Sequence, residues 1–470
     1  MENGTRQDNI HSPFSILPLP LVGAGMLACF AGMTRLTHFT RQGHTYLTLF
    51  FAAFALYLGA AVLILRRPTS VGASPLVTIA IFAILFRVPL WITTPTLSTD
   101  IWRYLWDGRL INHAINPYAT PVDAPALDYL ATPLRQRVDH AWMATPYPPA
   151  AELVFAGVYR LAPENPTAMQ VTFTLFDLAT AVVIVRLLRR LSIPDERVLI
   201  YAWNPLIVVE FAHSAHVDSL MTLFGMLAIY WLIAGRRTRS AIALAVATLT
   251  KFVPALVLPV FVRRWGVLRT LLYGALVGVA FVPFLSAGLG LDDGVQGIGI
   301  FGALRIYATR WKTNDGLFFW LVRTLNTQVT DPVPAAKLIA LIVLALLGFA
   351  VLVRSTSREA HGASQTTIGY AALLLSGYLL LTPAMFPWYL TWLIALLPAL
   401  PLCRSWAALA FTAGWLYFAA AVNLSYLFYL DPANPREHEW IRRTEYWPLF
   451  TLLAIAVALY GLRSRRYTMS

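Results

Sequence analysis

Apolar runs long enough to cross a lipid bilayer recur along this chain, and they leave few folds open to it. A transmembrane helix needs about 20 mostly apolar residues, and about twelve runs of that length or slightly shorter can be counted. The chain is 58% hydrophobic and only 13% charged, which is not typical of a soluble domain. The sequence therefore predicts an all-α polytopic membrane protein, a single domain over residues 1–470 with about 11–14 transmembrane helices.

The distribution of charge predicts how the chain is oriented. The net charge is +13, and the basic residues gather in short loops between apolar runs. Such loops are usually cytoplasmic, so the charge indicates orientation rather than nucleic-acid binding. Arg35 and Arg41 fall on the opposite side and go against this assignment. Two large loops, 95–149 and 286–335, are then external and are expected to carry interfacial helices, and the N-terminal segment predicts no cleaved signal peptide.

Two apolar stretches fit a simple span poorly. Ala150–Leu161 is short, and Ala241–Val262 contains Lys251 and two prolines. A polar break at membrane depth is tolerated only where it is buried in protein or lines a wet cavity. We therefore predict that both stretches are interfacial or re-entrant, whereas the run Val198–Phe211 is predicted to be a span.

The stretch Ser98–Pro121 contains the first candidate site. A Ser-Thr pair can cap a helix whose first turn carries Asp100. Asp100, Arg103 and Asp107 then share one face, and the opposite face is apolar. This pattern predicts a helix that lies flat at the membrane interface. A carboxylate in such a place can act as a general base, or it can simply cap the helix and pair with Arg103.

Further polar clusters fall in the predicted external loops. His213, His216 and Asp218 occur as HSAHVD, a spacing that allows a metal, a sugar or phosphate site, or a solvated helix end. Lys251 sits in an apolar setting where a lysine is a functional-site hypothesis by default, although it could reach the interface instead. Cys29 and Cys403 lie in or beside apolar runs and indicate neither a disulfide nor a metal site.

Aromatic residues are combined with polar groups in two places, Trp311–Asp315 and Pro387–Trp392. Aromatic faces stack on sugar rings, but belts of Trp and Tyr also occur at every membrane interface. Tyr147, followed by two prolines, reads on its own as a rigid turn.

Five segments give the chain a family resemblance. In order, they are TDIWRYLWDGRLINHAINPYATP, YPP, WNPLIVVEFAHSAHVDSLM, LTKFVPALVLP and PAMFPWYLTW. Together they resemble the polytopic GT-C glycosyltransferases, in particular mannosyltransferases that use a polyprenyl-phosphate sugar and include bacterial relatives of the GPI mannosyltransferases. The resemblance covers Leu97–Pro398. The chain departs from it in having two extra apolar runs ahead of the first large loop, where many members have one span.

The resemblance implies an inverting transfer of a sugar, mannose by preference, from a polyprenyl-phosphate donor to a glycan or glycolipid acceptor at the external face of the cell membrane. In it Asp100 would be the catalytic base, and Lys251, with Arg103 or Arg109, would hold the donor phosphate. It requires no cofactor, leaves a divalent metal open and involves the bilayer but no nucleic acid. The predicted sugar or acceptor contacts are Asp107, Tyr147, His213, His216, Asp218, Trp311, Asn314, Trp388 and Tyr389.

Two other classes stay open at this point. Broken helices and charges within the membrane are also features of secondary transporters and lipid-linked-sugar flippases, although the chain shows no repeated halves. The second class is an assembly protein that resembles a glycosyltransferase but does not catalyse a reaction. The sequence does not identify the acceptor, the linkage or the oligomeric state, and arabinose or glucose could replace mannose.

Overall fold

The computed structural model describes residues 19–66, 75–291, 294, 296–355, 363–431 and 435–468. Helices make up most of this part of the chain, and an isolated parallel bridge joins Thr313 to Ala384. The helices of the first half are α1 Leu19–Met33, α2 Gly43–Arg66, α3 Leu76–Arg87, α4 Asp100–Asn112, α5 Pro149–Leu161, α6 Pro166–Arg190, α7 Leu199–Ala202, α8 Pro205–Val208, α9 Asp218–Ile233 and α10 Arg237–Thr250. Those of the second half are α11 Leu258–Trp265, α12 Val267–Ala280, α13 Gly302–Arg310, α14 Leu317–Leu325, α15 Pro332–Arg354, α16 Ala363–Leu381, α17 Thr391–Ile394, α18 Trp406–Ala421 and α19 Glu439–Thr468.

The prediction of an all-α polytopic membrane protein is confirmed. By length and composition, five helices in the described ranges could each cross a membrane: Gly43–Arg66, Pro166–Arg190, Pro332–Arg354, Trp406–Tyr429 and Glu439–Leu462. Five further apolar helices of 10–17 residues accompany them. Many of the apolar side chains of α15 are exposed, including Leu338, Leu341 and Leu346, as is expected of a helix that faces lipid.

The polar break at Lys251 is confirmed, but the predicted span Val198–Phe211 is wrong. Helix α10 ends at Thr250, and the backbone of Lys251 is extended, with φ −157° and ψ 140°. Proline at position 205 cannot continue a helix from the preceding turn, and the Asn204 side chain accepts a hydrogen bond from Leu206 N to start a new one. Two short helices, α7 and α8, and a π-helical turn over Val209–His213 therefore replace the single span.

Helix α4 is buried rather than flat on an interface. Every residue from Ile101 to Gly108 is buried, because the loop over residues 113–148 folds across the helix and α5 packs against its other side. At the crossing, a Cβ on Gly108 would lie 2.4 Å from Phe155 O. Helix α5 has 13 residues, and at about 1.5 Å of rise per residue it is too short to cross a bilayer.

Candidate active site

A cavity of about 980 Å³ lies where α4, the break after α10 and the segment 385–389 meet. Its volume is at the upper end of the usual range for ligand sites, about 300–1,000 Å³. The polar and aromatic residues that line it include Thr94, Asp100, Arg103, Arg137, His140, Tyr147, Lys251, Tyr307, Trp311, Asn314, Trp388, Tyr389 and Tyr426. Nearly all of the sequence motifs therefore contribute to one cavity, although they lie far apart in the chain.

Asp100 presents its carboxylate to this cavity. It is the first residue of α4, and its backbone N–H donates to Ser98 Oγ at 3.2 Å. Acidic residues are common in the first turn of a helix, next to the partial positive charge of its N-terminus. The side chain is 34% exposed, so a bound hydroxyl can reach it.

His216 lies directly behind Asp100. Its Nδ1 is 3.6 Å from Asp100 Oδ2, and its Nε2 is 3.2 Å from Glu210 Oε2. Glu210 is completely buried, and its Oε1 accepts a hydrogen bond from Tyr426 Oη at 2.7 Å. The His216 ring stacks on Trp388 with 4.0 Å between ring centroids. Asp100 at the cavity is thus the first of a row of polar side chains that continues into the protein.

Lys251 contributes a cation to the cavity wall. Its Nζ lies 3.0 Å from both carboxylate oxygens of Asp218, and it is 4.7 Å from the centre of the Tyr389 ring. Trp392 Nε1 also donates to Asp218 Oδ1, at 2.6 Å. The Lys251 side chain remains 21% exposed and the Asp218 side chain only 1%, so the ammonium faces the cavity from within an ion pair.

Flat aromatic surfaces form much of the remaining wall. Trp311 stacks on Tyr307 with 5.5 Å between centroids, and Trp388 stacks on Phe386 at 4.6 Å. The hydroxyls of Tyr307 and Tyr389 are hydrogen-bonded to each other. In the described residues, no group of three or more His, Cys, Asp or Glu side chains is arranged to hold a metal ion.

Comparison with known proteins identifies the family. Residues 21–267, more than half of the chain, match the family model described as the N-terminal domain of alpha-(1->6)-mannopyranosyltransferase. The chain belongs to this mannosyltransferase family. It is also 25% identical over 456 residues, 83% of each chain, to alpha-(1->6)-mannopyranosyltransferase A of Mycobacterium tuberculosis (strain ATCC 25618 / H37Rv).

The resemblance to GT-C mannosyltransferases is thereby confirmed, and the protein is a multi-pass membrane mannosyltransferase. A transporter and a non-catalytic assembly protein no longer need to be considered as its class. Membership of this family implies a sugar donor and a glycan acceptor. The aromatic walls of the cavity suit the faces of sugar rings, and its charged groups include the carboxylate of Asp100 and the ammonium of Lys251.

Among the residues predicted to bind sugar, five line the cavity and four do not. His213 is buried outside it, stacked on Phe39 and held by Thr93. His216 and Asp218 lie one layer behind the cavity wall. The fourth, Asp107, is discussed below, and the five that line the cavity are Tyr147, Trp311, Asn314, Trp388 and Tyr389.

The two arginines predicted to hold phosphate are engaged elsewhere. Arg103 lines the cavity, but its guanidinium donates to Met143 O at 3.0 Å and to His140 O at 2.9 Å. Arg109 lies outside the cavity and forms a 2.6 Å ion pair with Glu164. Arg103 therefore holds the loop over α4 in place, whereas Arg109 links α4 to Tyr159 of α5 and to Glu164 just after it.

Asp107 belongs to a buried acid pair below the cavity. Burial raises the pKa of Asp107 to about 6, an effect that Arg103 partly offsets. Burial, together with the negative charge of Asp107, raises the pKa of Glu152 well above its usual value. Glu152 Oε1 accepts a hydrogen bond from Thr145 Oγ1 at 2.6 Å, which ties α5 to the segment that leads to Tyr147.

Glu210 and Arg137 were not among the residues predicted from the sequence. Glu210 is the one acid in Val198–Phe211, and a carboxylate in an apolar run is a signal for function that the assignment of a simple span ignored. Arg137 lines the cavity and lies 4.6 Å from the centre of the Trp102 ring. The sequence around Arg137 does not indicate a site residue, because only the folding of loop 113–148 brings Arg137 to the cavity.

Proposed function

We propose that this mannosyltransferase moves a mannosyl group from a polyprenyl-phosphate donor to a hydroxyl of a mannoside, forming an α-(1→6) linkage with inversion at C1. The linkage is the one in the names of the matching family and of the mycobacterial relative. The observation that carries the proposal is the partly exposed carboxylate of Asp100 in a cavity that also contains Lys251 and stacked aromatic rings.

Asp100 is the catalytic base in this mechanism. Its carboxylate takes the proton of the acceptor hydroxyl as that oxygen attacks C1 of the donor sugar. The bond between C1 and the phosphate oxygen breaks, and its electron pair leaves with polyprenyl phosphate. Because attack and departure occur on opposite faces of the sugar, an α-linked product requires a β-linked donor.

Lys251 stabilises the leaving phosphate. Negative charge grows on the bridging oxygen as the bond breaks, and a fixed ammonium in a partly desolvated cavity stabilises such charge more strongly than water does. The ion pair with Asp218 fixes the ammonium in position. Trp388, Tyr389 and Trp311 are the proposed surfaces on which the two sugars stack.

The active site is proposed to face the exterior. Helices α2, α9 and α10 each have one end near the cavity, while the other end carries or adjoins basic residues: Arg66 for α2, and Arg236, Arg237 and Arg239 for α9 and α10. Because clustered arginines mark the cytoplasmic side, this arrangement supports an external cavity. A donor anchored in the bilayer could then reach Asp100 without leaving the membrane.

Purified protein with synthetic β-linked polyprenyl-phosphate mannose and a mannoside acceptor tests the proposal. Asp100→Asn should reduce transfer by about 10²- to 10⁴-fold, the usual contribution of a general base. Asp139→Asn is the matched control, because it removes another carboxylate that lines the cavity but should keep most of the activity. Full transfer by Asp100→Asn, or equal use of a nucleotide-linked mannose by the wild type, would contradict the proposal.

A further inference from the structure

Glu210 is a buried acidic side chain that catalysis by Asp100 alone does not explain. It lies in the π-helical turn Val209–His213 and has no solvent exposure. A buried carboxylate is costly unless it is paired. Its two oxygens meet different partners, Tyr426 Oη at 2.7 Å and His216 Nε2 at 3.2 Å. The second contact leads toward Asp100, the proposed catalytic base, because the other ring nitrogen of His216 faces Asp100 Oδ2.

The backbone places Glu210 and His216 together. His216 N donates to Glu210 O at 3.1 Å, and the intervening Ala215 has a φ of 57°. A positive φ is unfavourable for alanine, and a single π turn inside helical structure is often found at a functional site. The distortion has one clear result, which is that the imidazole stands between Glu210 and Asp100.

The other histidine of this turn has a different arrangement. Thr96 N donates to His213 Nε2 at 3.2 Å, so the Nδ1 of a neutral His213 carries the hydrogen and faces Thr93 Oγ1 at 2.7 Å. Both ring nitrogens of His213 are therefore engaged. The ring nitrogens of His216 face only carboxylate oxygens, Nδ1 at 3.6 Å and Nε2 at 3.2 Å. Neither contact has the geometry of a good hydrogen bond. Catalytic contacts of this kind often tighten only when substrate is bound.

We infer that His216 and Glu210 form a proton relay behind Asp100, an inference that rests on the proposed function. Glu210 holds the hydrogen of neutral His216 on Nε2, so the lone pair of Nδ1 faces Asp100. When Asp100 has taken the acceptor proton, that proton passes to Nδ1. The imidazolium then lies between two carboxylates, and Asp100 is again ionised while polyprenyl phosphate leaves. The proton returns through Asp100 to water once the product has departed.

In this scheme Glu210 is a positioning residue that increases the proton affinity of the pair formed by Asp100 and His216. Glu210→Gln removes the negative charge but keeps the size of the side chain. The base becomes weaker, so kcat should fall on the order of 10²-fold, while KM for donor and acceptor stays within about twofold. The acidic limb of the kcat profile should move to lower pH by about one unit.

The control is Thr93→Val, which removes the polar partner of the other buried histidine on the same turn. It should lower thermal stability as Glu210→Gln does, but it should leave kcat and the acidic limb where they are. A second variant, Tyr426→Phe, removes the hydrogen bond that the Tyr426 hydroxyl donates to the Glu210 carboxylate and that stabilises its negative charge. Tyr426→Phe should move the acidic limb of the kcat–pH profile to higher pH, opposite to the shift expected for Glu210→Gln. It also tests the relay if Glu210→Gln does not fold.

Asp100→Asn is measured in parallel, so that two failures can be told apart. If Asp100→Asn is inactive while Glu210→Gln and Tyr426→Phe keep the wild-type kcat and pH profile, the relay is wrong and the general base stands. If Asp100→Asn is fully active, the proposed function fails and the relay fails with it. Shifts of the acidic limb in opposite directions support the relay.

Discussion

Lys251 and Asp218 form an ion pair in which the two partners differ in exposure. The ammonium is 21% exposed and reaches the cavity, whereas the carboxylate is 1% exposed and also accepts a hydrogen bond from Trp392. Removing the lysine therefore leaves a buried carboxylate without its cation, and such a loss is costly. If Lys251 binds the donor phosphate as proposed, stability and donor binding are linked at this position, and we expect a single substitution to change both.

A double substitution separates the two effects. Lys251→Met should lower stability by about 3 kcal/mol and kcat/KM for the donor by about 10²-fold. Adding Asp218→Asn should restore the melting temperature without restoring donor use. Lys337→Met, at an exposed hydrogen bond to Thr309 O, is the control and should retain activity. Recovery of transfer in the double variant would mean that Lys251 acts only through stability.

The crossing of α4 and α5 depends on Gly108. A methyl group there would lie 2.4 Å from Phe155 O, so Gly108→Ala should push the helices apart and cost about 1–3 kcal/mol. Because Asp100 begins α4, transfer should fall as well. Gly157→Ala on α5 meets nothing within 4 Å and should be neutral or stabilising. Thermal unfolding of both variants in detergent, beside the transfer assay, measures the difference, and equal melting temperatures would contradict the close crossing.

The parts of the fold that were predictable from the sequence have local causes. Helix α4 begins two residues after Ser98, whose Oγ accepts a hydrogen bond from Asp100 N, and α10 ends where Lys251 and the following prolines interrupt an apolar run. Capping residues and prolines act within a few positions, so the sequence alone is sufficient to detect them. Asp100 and Lys251 were identified as site residues for the same reason.

The remainder depends on contacts between distant segments. The periodicity of α4 predicts a helix with one apolar face, but loop 113–148 covers its polar face and makes Arg103 and Asp107 internal. The row from Asp100 through His216 to Glu210 likewise joins α4 to the π turn after α8. Hydropathy treats Glu210 as a minor interruption of a span, and only the packing shows its partners.

Arg87 and Asp177 are a charged pair with no solvent exposure, between α3 and α6. Arg87 Nη1 also donates to Ala83 O and Ala202 O, so the arginine links three segments. Asp177→Leu alone leaves a buried cation and should cost about 3–5 kcal/mol. Arg87→Met combined with Asp177→Leu should recover most of that loss, because an apolar pair needs no counter-charge.

The control for this pair lies on the same helix. Arg189→Met breaks the exposed ion pair with Asp195, and it should change stability by less than about 1 kcal/mol. Thermal unfolding of the purified variants gives the comparison. If the double variant is no more stable than Asp177→Leu alone, the three-way link through Arg87 matters more than its charge.

The buried acid pair of Asp107 and Glu152 makes stability depend on pH. Because burial raises the pKa of both groups, to about 6 for Asp107, the folded protein holds protons that the unfolded chain has released above about pH 4. The stability that this pair contributes is therefore fully present below about pH 4, is lost as the pH rises through the raised pKa values, and stays low above them. Glu152→Gln keeps an acceptor for Thr145 but removes one acid. It should raise the free energy of unfolding at pH 8 by on the order of 2 kcal/mol, measured as a higher melting temperature, and it should flatten the decline between pH 4 and 8.

Asp315, whose pKa burial also raises to about 6, is present in both proteins, so stability should still decline slightly with pH in the variant. The exposed Asp128, paired with Arg135, is the control, since Asp128→Asn should leave the profile unchanged. A steeper decline in Glu152→Gln would show that the pair is ionised in the folded protein and stabilised by Arg103.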